Sequence, residues 1–96
     1  MEKKYSFSGV QEGMLKCYTI FCSNGRIIKA QKDVYAGPCH QLLDEEIGKA
    51  LEDAFKFSVA INKLENYLEM ISNLKEEEKE RYLKAVSIFA PKTIKN

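Results

Sequence analysis

A thiol and an imidazole stand side by side at Cys39-His40, the sharpest candidate for chemistry in this 96-residue chain. The pair follows Gly37-Pro38, where a helix is expected to begin. A thiol at a helix N-terminus meets unpaired backbone N–H groups and the positive end of the dipole, both of which lower its pKa. A histidine nearby can serve as its base. Adjacent helical residues, however, point about 100° apart, so Cys39 and His40 do not face each other. No third group completes a dyad, and a small cysteine-dependent enzyme stays a secondary reading.

Metal chemistry has as little support. Cys17, Cys22, Cys39 and His40 are the potential zinc ligands. A closed zinc site wants short paired spacing such as C-x2-C. Four residues separate Cys17 from Cys22 on an expected strand, which places them on opposite faces. No metal and no cofactor are expected. Asp44-Glu45-Glu46 has no partner for acid–base work and suits the first turns of a helix, where carboxylates complement the dipole. The run Lys75–Arg81 reads as a solvated helix face. Gly-rich phosphate loops, nucleophile elbows and zinc-protease motifs do not occur.

Aromatic residues offer a different chemistry. Tyr5, Phe7 and Tyr18 fall on one face of an expected sheet, with Lys29 and Gln31 nearby. Such a face can stack bases, but it serves equally as core or as subunit contact, and that reading is preferred. Net charge supports the preference. The chain carries +1 overall, from 15 basic and 14 acidic residues, whereas a nucleic-acid binder normally shows a clear basic excess. The charge is +3 over residues 1–40, −4 over 41–72 and +2 over 73–96. Neighbouring elements therefore attract one another, and nucleic acid is not an expected partner.

The elements that must position these residues follow from turns and periodicity. Residues 5–35 read as a three-stranded antiparallel β-meander. Asn24-Gly25 between two β-rich runs is a strong hairpin signal, because a type I′ turn needs positive φ at both central residues. That register sets Cys22 opposite Ile27, Phe21 opposite Ile28 and Lys16 opposite Asp33. A second turn at Glu12-Gly13 sets Val10 opposite Leu15 and Phe7 opposite Tyr18. One sheet face then holds Tyr5, Phe7, Tyr18, Ile20, Cys22 and Ile27. The other holds Val10, Leu15, Cys17, Phe21, Ile28, Ala30 and Val34. Neither is plainly polar, so both are expected to need cover.

From Pro38 to Ser72 the apolar positions Leu43, Ile47, Ala50, Ala54, Phe57, Ile61, Leu64, Leu68 and Ile71 alternate in steps of four and three. An unbroken heptad of this kind predicts one long, coiled-coil-like helix. Lys49, Lys56 and Lys63 form its wet face. Asn73 to Glu76 resembles a capping box and predicts a second helix over 74–89, with Tyr82, Val86 and Phe89 as its stripe. Pro91 ends it, and 90–96 form a polar tail. The whole is an α+β chain of one domain.

The heptad has a consequence for assembly. A 30-residue helix is about 45 Å long, and a compact chain of this size has a radius of gyration of roughly 12–13 Å. A straight helix overhangs such a globule and asks for a second copy. Phe55 and Val59 lie outside the seam as an exposed apolar pair, and Ile61 and Leu68 lie on it. A homo-oligomer, a dimer or higher, is therefore expected. The competing arrangement is a helix bent near Phe57-Ser58-Val59 or Asn62. No secretory leader or membrane span is visible, and three cysteines without framework spacing suit the reducing cytoplasm.

These readings converge on a non-catalytic oligomeric binding protein that acts through protein–protein contacts, in the size class of small inhibitors, immunity proteins and phage anti-defence proteins. Its expected contact residues are Phe55, Val59, Tyr5, Phe7, Tyr18, Ile61 and Leu68. The alternative is a protein that sequesters a small, nucleotide-like ligand in a pocket between subunits.

Overall fold

The computed structural model describes residues 2–34 and 37–83. Two tight turns build its sheet. Glu12 and Gly13 have φ of 55° and 77°, and Asn24 and Gly25 have 54° and 78°. Left-handed conformation at both central residues matches the twist of the flanking strands. The turns join β1 (Glu2–Gln11) to β2 (Met14–Ser23) and β2 to β3 (Arg26–Val34). Val10 pairs with Leu15 and Phe7 with Tyr18, as the turn at Glu12-Gly13 requires.

The second hairpin departs from its expected register after one pair. Cys22 does oppose Ile27, but a bulge follows, so Phe21 opposes Lys29 and Lys16 opposes Val34. Ile28 is the extra residue, and the Lys16–Asp33 pairing does not form. A bulge turns every later side chain to the other face. Ala30 thereby leaves the face expected for it, sits opposite Ile20 and is fully buried.

The long helix from Pro38 is not formed. Its first residues make a fourth strand, β4 (Cys39–Gln41), which pairs antiparallel with Gln31–Asp33 of β3. The sheet order is β1-β2-β3-β4. Helix begins only at α1 (Asp44–Ala60), where the Leu43 N–H donates to Glu46 Oε1 at 2.7 Å and three acidic residues occupy the first turn. It ends at Ala60, and Asn62 just beyond it takes a left-handed conformation at φ 59°. Asn62 N–H donates to the Val59 carbonyl, and Lys63 N–H to the Ser58 carbonyl. That pair of bonds is a Schellman close, with asparagine in the position glycine usually fills.

Two shorter helices follow, α2 (Leu64–Ser72) and α3 (Glu76–Leu83). The apolar seam rotates across the break. Ile61, nominally within it, is half exposed, whereas Met70, in line with the wet Lys49, Lys56 and Lys63, is fully buried. The second expected helix starts two residues late, since Asn73 closes α2 instead of capping α3. Val86, Phe89, Pro91 and the tail lie outside the described residues. With the helix broken, no described helix overhangs the globule: the radius of gyration is 12.7 Å, that of a compact chain of this size.

All three helices contribute to a core on one sheet face. Tyr5, Phe7, Ile20, Ile27 and Ala30 meet Ile47, Leu51, Ala54, Tyr67, Met70 and Tyr82. Complete burial of a side chain such as Ile20, Leu51 or Met70 contributes about 1.5–3 kcal/mol. Among the described residues nothing covers the opposite face, where Val10, Leu15 and Ile28 are exposed and Cys17 and Phe21 half-buried.

Candidate functional site

The Cys39-His40 pair sits on a strand, not at a helix start. Both residues are exposed, and strand geometry sends them to opposite faces. Cys39 lies opposite Asp33, and a hydrogen bond to that carboxylate pushes the thiol pKa up. A nucleophilic thiol needs the reverse. Cys22 is buried, and that burial, with the nearby Glu78 charge, raises its thiol to about 11. Among the described residues no three His, Cys, Asp or Glu side chains gather to hold a metal ion.

The most elaborate polar cluster is one that sequence reasoning missed. Asp53 of α1 is buried and receives the Tyr18 hydroxyl at 2.8 Å and Gln11 Nε2 at 3.4 Å. Lys49 Nζ lies 3.4 Å from the same carboxylate. Burial, reinforced by the Asp53 hydrogen bond, pushes the Tyr18 phenol well above its usual range. The phenol therefore stays protonated and donates. The cluster is saturated by its own members and fastens α1 to the sheet. Its one sequence signal is an acidic residue next to seam position Ala54.

The two edges of the sheet are finished differently. On the β3 side, β4 is three residues long, and the Leu42 N–H extends the ladder by one bond to the Ala30 carbonyl. Beyond that point the Ile27 N–H faces away from β2, because Arg26 and Ser23 form the bonded pair closing the turn. Glu78 of α3 supplies the missing acceptor, with Ile27 N–H donating to its Oε2 at 2.7 Å. Lys75 N–H also donates to the Gly25 carbonyl. A Cβ on Gly25 would lie 2.7 Å from Lys75 Cγ, so glycine is required there for contact as well as for φ.

The β1 edge has no comparable cover. It runs for ten residues. Gln11 and Met14 close the two-residue turn as a bonded pair, so alternation directs the backbone groups of Lys4, Ser6, Ser8 and Val10 outward. Among the described residues no backbone hydrogen bond reaches them. Beside this edge lies a groove of about 490 Å³, lined by Ser6, Ser8, Phe57, Ile61, Lys63 and Glu65 among others. Phe57 forms its floor. A Cβ at Gly9 would come within 2.4 Å of that ring, so the missing side chain lets Phe57 lie against the strand. The Asn62 turn brings Ile61, Lys63 and Glu65 to the rim.

The expected contact residues separate into two groups. Tyr5, Phe7 and Tyr18 are buried beneath the helices. Phe55 is half-buried and packs edge-to-face on Tyr67 at 5.5 Å, because α2 folds back along α1. Leu68 is likewise packed against the core. Val59 and Ile61 remain on the surface, each 52% exposed. Ile61 lines the groove, and neither the groove nor the β1 edge carries a motif, since an edge is defined only by what fails to pair with it.

These features define an α+β chain with helices on one face of an antiparallel meander and one long edge left open among the described residues. No helix among the described residues is long and apolar enough to cross a membrane. No family model, curated protein or solved structure matches the chain.

Proposed function

We propose that this chain is a non-catalytic binding protein that works as an oligomer through protein–protein contacts. The observation that carries the proposal is the contrast between its polar and apolar inventories. The Asp53 cluster is spent on holding α1 to the sheet, and the Cys39 thiol is shifted away from nucleophilicity. Apolar side chains meanwhile stand exposed at Val59 and at Ile61, the latter lining a groove beside a strand edge that nothing among the described residues pairs with. Strand edges flanked by grooves are a recurrent mode of protein recognition, the backbone giving affinity and the groove specificity.

The test is site-specific photo-crosslinking in cell extract. A photoreactive residue at Ile61 is expected to give discrete protein adducts, while the same residue at Lys56, on the solvated side of α1, gives none. No adduct at Ile61, or equal yields at the two positions, would overturn the proposal.

A further inference from the structure

We infer that the β1 edge and its groove bind a second copy of this chain, β1 pairing antiparallel with β1 of the other copy about a two-fold axis to form one continuous sheet. The inference rests on the oligomeric reading above and gives it an interface. Long edges invite pairing unless charge, proline, bulges or a covering element blunt them. Over β1 the register to β2 runs without a bulge, and no proline occurs. Lys3 is drawn aside, its Nζ 2.5 Å from Glu69 Oε2 on α2. The centre of the strand, Ser6-Phe7-Ser8-Gly9, is therefore uncharged and mostly small, which allows close backbone approach. Setting Ser6 against Ser8 of the other copy joins outward-facing groups to outward-facing groups and places the axis at Phe7.

Charge complementarity selects the occupant. An axis perpendicular to the sheet keeps both sets of helices on one side and turns the two α1–α2 junctions toward each other. Each junction carries exposed Val59 and Ile61, followed by Lys63 and Glu65 on the groove rim. Neither Lys63 nor Glu65 makes an ion pair among the described residues. In an isologous contact any pair across the axis occurs twice, and the inferred pair is Lys63 of one copy with Glu65 of the other. A rim with one charge of each sign is self-complementary, which a strand from an unrelated protein would not require.

Light scattering after size exclusion, over a range of concentrations, reads the outcome on the full chain. The wild type is expected as a dimer, with amide exchange at Ser6 and Ser8 slowing as concentration rises while that of Phe7 stays slow throughout. Ser8→Pro removes an outward N–H and leaves the β1–β2 ladder intact. It is expected to give a monomer with an unchanged circular dichroism spectrum. Lys63→Glu is expected to weaken the dimer roughly fivefold, and Lys63→Glu with Glu65→Lys to restore it, a readout that survives if the proline variant misfolds. A monomer at every concentration overturns the inference, as does a dimer in which Ser6 and Ser8 exchange freely. With a monomer, adducts to other proteins at Ile61 would leave the protein-binding part of the proposed function standing without its oligomeric part, and their absence would remove both; with a dimer of the second kind, the oligomeric reading stands and this interface alone falls.

Discussion

The two edges of this sheet face one physical problem and solve it differently. On the β3 side, a three-residue strand, one additional backbone bond and the Glu78 carboxylate take up outward groups of β3 between Ile27 and Asp33. On the β1 side, ten residues end at a groove with nothing among the described residues bonded to their outer groups. An exposed strand backbone in water is tolerated, but it templates further pairing. The comparison teaches that an edge closed by its own chain belongs to stability, and an edge left open is available for recognition. Variants on the two sides should therefore differ in kind.

The largest effect is expected at the groove floor. Phe57→Ala removes a buried ring that stacks on Tyr18 at 6.1 Å and lies over Gly9, and should cost about 3–5 kcal/mol in urea unfolding. A cost below about 1 kcal/mol would show that the floor is surface and not core. On the closed edge, Glu78→Ala leaves the Ile27 N–H without its acceptor and should cost about 1–3 kcal/mol. That loss should be the same at every protein concentration; a concentration-dependent loss would mean that both edges take part in association.

Two smaller effects sharpen the β1 side. Asn62→Ala places a residue that resists left-handed conformation at the α1–α2 turn and should cost about 1 kcal/mol, seen as a lowered Tm. An unchanged Tm would imply that the groove wall forms without the Schellman close. Glu69→Gln should have the least effect. Its hydrogen bond and ion pair with Lys3 lower the Glu69 pKa from 4.5 and raise that of Lys3 from 10.5. A lowered carboxylate pKa stabilises above the unfolded value and is lost as pH falls through the folded one; a raised lysine pKa stabilises below its unfolded value and is lost as pH rises through the folded one. The wild type should therefore lose slightly more stability than Glu69→Gln at both acid and alkaline extremes, measured by thermal unfolding across pH. Parallel pH profiles would show that Lys3 is not held aside.

What the sequence determined by itself was local. Both two-residue turns, the β1–β2 register and the grouping of Tyr5, Phe7, Tyr18, Ile20, Cys22 and Ile27 on one face follow from backbone preference and alternation, which act over a few residues. Tertiary structure decided the rest. Residues 39–41 became a strand because β3 offered them a partner, and no periodicity within the segment encodes that offer. Asn62 was legible as one of two places for a bend, but the heptad carried across it because a count of apolar spacings ignores one residue in left-handed conformation, and that residue redirects the chain. The bulge at Ile28 moved Ala30 into the core through a single extra residue. The groove, the guarded β3 edge and the open β1 edge are relations between segments far apart in sequence. A sequence lists the side chains that can meet, and only the packed backbone fixes which of them do.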